Sequence, residues 1–156
     1  IVGGASGTEG ETEIAHVHSL MQELKVENQV RFVAPQAHHI LSTYYRAADV
    51  VLVPSRSESF GLVALEAAAC GTPVVANAVG GLLTIVEHGR TGFLVPDRQP
   101  EIFARHIANI LDDPALSMRM SHDAAERAKG YTWSFAAARL RRAYTDITSR
   151  DRVVCE

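Results

Sequence analysis

The sequence predicts an α/β fold, a parallel sheet with helices on both faces, and three observations carry this prediction. The apolar segment Asp49–Pro54 has the length of a buried strand and ends at a proline. An alanine-rich helix is expected over Phe60–Ala69, and Gly71 stops it. A second apolar strand follows over Pro73–Ala76. Strand, loop, helix and strand in this order form a βαβ unit, in which the two strands run parallel.

The elements before this unit have the same alternating character. The sequence predicts a short strand at Ile1–Val2, followed by a glycine-rich turn. Apolar residues at helical spacing predict a helix over Glu13–Lys25, and a second helix over Ile40–Ala48. Between these helices, Val30–Val33 reads as a strand that ends before a proline.

The elements after the unit continue it with one more strand and four helices. Gly92–Pro96 is apolar and short, as expected of a strand. Two of the helices begin at a proline, which is favoured at the first helical position. The predicted helices are Leu82–Glu87, Pro100–Leu111, Pro114–Lys129 and Phe135–Thr148.

Length and composition narrow the function classes. A chain of 156 residues can form one domain with a real core, which we assign to residues 1–150, with a tail over 151–156. A net charge of −3 without a basic block argues against nucleic acid, and no apolar run is long enough for an integral membrane segment. Cys70 and Cys155 make no disulfide framework, which favours a cytoplasmic location. The first residue is not Met, so we expect a fragment of a longer protein.

The loop between the strand Asp49–Pro54 and the helix Phe60–Ala69 contains candidate ligand-binding residues. In open α/β sheets, ligands bind at the carboxyl ends of the strands, where this loop lies. Glu58 lies in the loop and Glu66 lies eight positions later, within the helix. Gly61 leaves the backbone room to bend, so the two carboxylates can flank one pocket at different depths. Carboxylate oxygens are good acceptors for sugar hydroxyl groups.

The start of the same helix predicts an anion site. The backbone amides of Gly61, Leu62 and Val63 have no partners within the helix, and the helix dipole favours negative charge there. A diphosphate suits these amides. A phosphate site next to two carboxylates is the combination that a sugar attached to a nucleoside diphosphate requires.

Simpler interpretations of the same residues stay open at this point. Ser55 and Glu58 have the spacing of a helix capping box, and Glu66 could be a solvated helix residue. No set of histidines has metal-ligand spacing, so no metal site is predicted. The basic residues Arg139, Arg141 and Arg142 are most simply a solvated helix face, and Trp133 is expected to pack at a helix junction.

Together, the motifs resemble those of the retaining family 4 glycosyltransferases. Glu58 and Glu66 match the E-x7-E signature of that family. The resemblance covers nearly the whole chain, and its other motifs are Ile1–Gly7, Tyr45–Val50, Ala67–Val75, Gly80–Gly81 and Glu87–Val95. It implies two Rossmann-like domains facing across a cleft, the GT-B fold, of which this chain would be the carboxyl-terminal, donor-binding half. The amino-terminal acceptor domain would be absent.

The resemblance also implies roles for individual residues. Glu58 would be the catalytic residue that holds the donor sugar, helped by the backbone amides of Phe60 and Gly61. The amides of Leu62 and Val63 would bind the diphosphate. In the same way, Glu66 would accept the ribose hydroxyls, and the loop around Gln36 would meet the base.

The implied reaction moves a sugar from a nucleotide-sugar donor, UDP-N-acetylglucosamine or UDP-glucose, to a hydroxyl acceptor with retention of configuration. No metal or other cofactor is required in it. The family's Arg and Lys that clamp the diphosphate would lie upstream of Ile1, so we expect the chain alone to bind UDP weakly and not to turn over. The last helix would return to the other domain, which makes an interdomain contact the alternative for its arginines. The alternative function is a non-catalytic nucleotide-binding or interaction module.

Overall fold

A computed structural model of the chain describes residues 1–5 and 10–149. They form two compact units, Ile1–Thr43 and Tyr44–Glu156. Ser6 and Gly7 of the opening motif, and the predicted tail at 151–156 with Cys155, lie outside the described residues. Within the described ranges, no helix combines the length and the apolar composition that a bilayer crossing demands.

The first unit contains helix α1 (Gly10–Leu24), which starts three residues earlier than predicted. The predicted strands at Ile1–Val2 and Val30–Val33 are wrong as strands, because only a single parallel bridge joins Val2 to Val33. The backbone amide of Gly3 still donates to the carbonyl of Val33 at 3.0 Å. The pairing stops there because Gly3 has a φ of 135°, which is incompatible with an extended strand.

The second unit contains the sheet that the βαβ pattern predicts. Its strands are β1 (Val51–Val53), β2 (Val74–Asn77) and β3 (Gly92–Val95). They lie in the order β1-β2-β3 and all pair in parallel, with Val51 opposite Val74 and Val74 opposite Gly92. The predicted parallel sheet is confirmed, and all four residues of the central strand are buried.

The remaining helices follow the predicted positions within a few residues at each end. They are α2 (His38–Ala47), α3 (Leu62–Ala69), α4 (Leu82–Ile85), α5 (Pro100–Asp112), α6 (Pro114–Ala128) and α7 (Trp133–Thr148), with 3₁₀ turns at Pro96–Arg98 and Lys129–Tyr131. Local signals in the sequence set several helix starts. Asp113 accepts a hydrogen bond from the Leu116 amide at 2.9 Å, and Thr132 accepts one from Phe135 at 3.3 Å.

Helices cover both faces of the sheet, as predicted. On one face, Val74 and Ala76 pack with residues of α3 and α4, including Ala64 and Leu82. On the other face, Val75 packs in a cluster with residues of α5 and α6. Side chains alternate between the faces of a strand, so consecutive buried residues of β2 serve opposite cores.

Helix α7 departs from the sequence prediction. Trp133 is 93% exposed, so the expected packing at a helix junction is wrong. None of the residues of α7 is buried, and Tyr144 and Ile147 are exposed as well. The spacing of apolar residues correctly predicts a helix here. Whether its apolar side chains are buried depends on contacts with other segments, and the spacing does not specify those contacts.

A cluster of aromatic and histidine rings lies where α5 meets β3. The ring of His106 stacks on Phe93 with centroids 4.1 Å apart, and its centroid lies 5.7 Å from that of His88. The Nδ1 atom of His106 is buried without a hydrogen-bond partner among residues 1–5 and 10–149. Burial lowers the pKa of His106, and the nearby His88 and Arg105 lower it further.

We therefore expect the chain to lose stability as the pH falls below about 6.5, the ordinary pKa of histidine. In that range the unfolded histidine takes up a proton more readily than folded His106, so acid favours the unfolded state. Urea unfolding between pH 7.5 and pH 5.5 should show a smaller loss of stability for His106→Gln. The exposed His16→Gln is the control and should keep the wild-type loss. An unchanged loss in His106→Gln would contradict this assignment.

Candidate functional site

The loop from Pro54 to Gly61 connects β1 to α3 at the carboxyl end of the sheet. Gly61 ends this loop with φ 97° and ψ 46°, a left-handed conformation that favours glycine. Helix α3 begins only after this residue, and no side chain caps its amino terminus. The alternative of a capping box formed by Ser55 and Glu58 is therefore wrong, because these residues precede the helix by several positions. The first amides of α3 therefore have no side-chain acceptor at the helix start.

Glu58 is held within the loop by its side chain and by its backbone. Its Oε1 atom accepts a hydrogen bond from the amide of Phe60 at 3.4 Å. Its backbone carbonyl accepts one from the amide of Gly81 at 3.0 Å. The side chain is half-buried, so the carboxylate is partly accessible at the edge of the sheet.

Gly80 and Gly81 pack directly against this loop. A Cβ atom on Gly80 would lie 1.8 Å from the carbonyl oxygen of Glu58, and one on Gly81 would lie 2.2 Å from that of Phe60. Both contacts are far inside van der Waals distance and involve rigid backbone. The sequence marks this pair only as a motif of the family resemblance, whereas the structure shows that it allows the second loop to support the first.

Asn77 supports the start of the same loop. It lies at the end of β2, is 3% exposed, and donates from Nδ2 to the carbonyl of Ser55 at 3.0 Å. Its Oδ1 atom accepts from the amide of Arg98 at 3.2 Å, and the Arg98 Nε donates to the carbonyl of Pro54 at 3.1 Å. One buried amide thus joins the end of β2 to the loops that follow β1 and β3. Sequence reasoning missed this role, although an asparagine ending an apolar strand was the available signal.

Helix α4, which follows the two glycines, is held from the other side by α6. The guanidinium of Arg127 donates to the carbonyls of Thr84 at 2.6 Å and Ile85 at 3.0 Å. The hydroxyl of Tyr131 also donates to the carbonyl of Thr84, at 3.1 Å. These bonds satisfy carbonyls that end a short helix, where a cation is favourable. No pattern in the sequence identifies Arg127 in this role.

Glu66 lies in the second turn of α3 and is half-buried. Its Oε2 atom accepts a hydrogen bond of 2.8 Å from the hydroxyl of Tyr45. Burial raises the pKa of Tyr45, and the hydrogen bond to Glu66 raises it further. Tyrosine is protonated at neutral pH even at its ordinary pKa of about 10, so this hydroxyl is a donor to Glu66. The interpretation of Glu66 as a fully solvated helix residue is wrong.

The other predicted site residues have simpler surroundings. Leu62 and Val63 begin α3 with side chains that are 61% and 45% exposed, and Phe60 is 44% exposed. Gln36 belongs to the first unit, where its Nε2 donates to the carbonyl of Ala34 at 2.8 Å. Its predicted place beside a base stays a prediction. No group of three His, Cys, Asp or Glu side chains that could hold a metal ion occurs in the part of the chain that the structure describes.

Comparison with known proteins extends these observations. Residues 1–129 match the family described as glycosyl transferases group 1. The chain is 47% identical over 150 residues to D-inositol 3-phosphate glycosyltransferase 2 of Catenulispora acidiphila, covering 96% of this chain and 34% of that protein. It is 49% identical over 148 residues to the D-inositol 3-phosphate glycosyltransferase of Kribbella flavida, covering 95% and 35%. The chain thus spans about a third of the length of these relatives.

Solved structures show the same fold. Sucrose-phosphate synthase from Thermosynechococcus elongatus superposes with a TM-score of 0.83 at 39% identity, over 95% of this chain and 38% of that one. Anabaena Alr3699/HepE in complex with UDP-glucose superposes with a TM-score of 0.79 at 28% identity, over 94% and 40%. The fold is therefore the Rossmann-like α/β fold of a GT-B glycosyltransferase domain, as the sequence predicts. With this fold and the family match over most of its length, the chain belongs to the glycosyl transferases group 1 family.

Proposed function

We propose that this chain is the donor-binding domain of a retaining glycosyltransferase that moves a sugar from a nucleotide sugar to a hydroxyl acceptor. The observation that carries the proposal is the uncapped start of α3 at Gly61, with Glu58 before it and Glu66 within it. This arrangement places helix-start amides that no side chain caps, together with two carboxylates, on one short segment. UDP-N-acetylglucosamine or UDP-glucose is the donor class that fits, and the acceptor would be bound mainly by an amino-terminal domain. A cytoplasmic location remains a prediction.

Each part of such a donor has a group of matching chemistry. The amides of Leu62 and Val63 would receive the diphosphate, because the helix dipole and unpaired N–H groups favour an anion there. Glu58 would accept hydrogen bonds from the sugar, with the amides of Phe60 and Gly61 beside it. Glu66 would accept those of the ribose. The complexes of HepE with UDP and with UDP-glucose support a nucleotide-sugar ligand for this fold.

The proposed reaction breaks the bond between the anomeric carbon and the diphosphate oxygen, and forms a bond to the acceptor oxygen on the same face. Negative charge develops on the departing diphosphate, and the amides at the start of α3 stabilise it. The diphosphate then takes the proton of the acceptor hydroxyl. The Glu58 carboxylate stabilises the positive charge that develops on the sugar. No metal is needed for these steps.

Binding of UDP to a full-length enzyme that carries this sequence tests the proposal. We expect Glu66→Ala to weaken UDP binding about 10- to 100-fold, as measured by titration calorimetry, because a carboxylate loses its hydrogen bonds to the ribose. Glu101→Ala is the matched control, since Glu101 is an exposed residue of the first turn of α5. It should leave the affinity unchanged.

Two results would contradict the proposal. Absence of UDP binding at millimolar concentration would contradict the assignment of a donor site. Normal UDP binding without transfer of sugar to any hydroxyl acceptor would instead indicate the non-catalytic nucleotide-binding module.

A further inference from the structure

Tyr45 reaches the proposed donor site from a different element. It lies in the last turn of α2, and Glu66 lies in α3, 21 positions later in the chain. The 2.8 Å hydrogen bond from its hydroxyl to Oε2 of Glu66 joins the two helices beside β1. A bond between residues so far apart in sequence depends on tertiary structure and fixes the carboxylate relative to the sheet.

The tyrosine is itself held firmly at its backbone. The carbonyl of Tyr45 accepts a 2.6 Å hydrogen bond from the hydroxyl of Thr72, which is 3% exposed, and a 3.2 Å bond from the amide of Ala48. Its ring packs against the buried cluster that contains Val53 and Ala64. A side chain fixed at its backbone and along its ring presents its hydroxyl in one place, so the hydrogen bond can orient its acceptor.

The chemistry suits orientation rather than proton transfer. A tyrosine hydroxyl has an ordinary pKa of about 10. It is therefore protonated at neutral pH and can donate to Glu66, and burial raises the pKa of Tyr45 further. Each carboxylate oxygen can accept two hydrogen bonds, so a donor on Oε2 leaves the carboxylate capacity for a diol. A carboxylate that is already oriented loses less side-chain entropy when a ligand binds.

We propose that Tyr45 is a positioning residue, whose hydroxyl orients the Glu66 carboxylate to accept hydrogen bonds from the hydroxyl groups of a nucleotide ribose. This inference rests on the proposed function, since it requires that Glu66 meets a ribose. It adds a residue to that site and does not make Tyr45 a group that touches the reacting atoms.

The test compares two nucleotides on a full-length enzyme that carries this sequence. UDP has both ribose hydroxyls, and 2′,3′-dideoxyuridine diphosphate has neither. We expect Tyr45→Phe to weaken UDP binding about three- to tenfold, the effect of one lost hydrogen bond, and to leave binding of the dideoxy nucleotide unchanged. In a Glu66→Ala background, Tyr45→Phe should have no further effect on UDP binding.

Tyr44→Phe is the matched control, because Tyr44 is the adjacent, half-buried tyrosine and its hydroxyl has no hydrogen-bond partner among the described residues. It should leave both affinities unchanged. If Tyr45→Phe weakens both nucleotides equally, or weakens neither, the positioning role is overturned. If Glu66→Ala also leaves UDP binding intact, the ribose role of Glu66 in the proposed function fails as well, so the two failures are distinguishable.

Discussion

We expect Gly80→Ala to lower the free energy of unfolding by about 2–4 kcal/mol, the sum of overpacking and a left-handed backbone. The new Cβ would lie 1.8 Å from the carbonyl oxygen of Glu58, and Gly80 has a φ of 48°. The loop carrying Glu58 has to move away to relieve this contact. Urea unfolding measures the loss of stability, and UDP titration of the full-length enzyme measures the accompanying loss of donor affinity.

Gly89→Ala separates the two causes. Gly89 also has a positive φ, 79°, but a Cβ there would meet no atom within 4 Å. Gly89→Ala should lower the free energy of unfolding by about 1–2 kcal/mol, the cost of a left-handed backbone at alanine. It should leave the affinity for UDP unchanged. Equal losses of stability in both variants would show that the close contact between Gly80 and the loop is not what requires glycine.

The second large effect concerns turnover. We expect Glu58→Ala in a full-length enzyme to reduce kcat about 100-fold or more, because a group that stabilises charge in the transition state is lost. The affinity for UDP itself should change by less than about threefold, since UDP lacks the transferred sugar that Glu58 would hold. Initial rates with a UDP-sugar, together with UDP titration, provide the two measurements.

Glu58→Gln serves as the structural control for this experiment. Its amide oxygen can replace Oε1 as the acceptor for the Phe60 amide, so the loop should keep its shape while the charge is removed. We expect its kcat to fall like that of Glu58→Ala, with smaller loss of stability. A kcat unchanged in both variants would show that the assigned role of Glu58 is wrong.

The local patterns of the sequence predict most of the second unit correctly. Proline, glycine and apolar periodicity place β1, α3 and β2 within a few residues, because these signals act on neighbouring backbone. The same signals overestimate the strands at Ile1–Val2 and Val30–Val33. A high β-strand propensity does not by itself make two segments pair in a sheet. Here the backbone conformation of Gly3 ends the pairing between Val2 and Val33.

The candidate site was predictable in part. Glu58, Gly61 and Glu66 lie within a segment of nine residues, so their spacing is visible in the sequence. The supports of that loop are distant in sequence and carry no motif that identifies them. Asn77 bonds to a residue 22 positions away, and Arg127 bonds to one 43 positions away.

Residue types and spacing alone thus predict the βαβ unit, the start of its helix, and the two glutamates beside that start. All of these follow from residue types and spacings along a short segment. The support of the loop by Gly80, the hydrogen bond from Tyr45 to Glu66 and the exposure of Trp133 appear only in the folded chain. The physical reason is that backbone propensity is local, whereas close approach, buried hydrogen bonding and burial depend on chain segments that folding brings together.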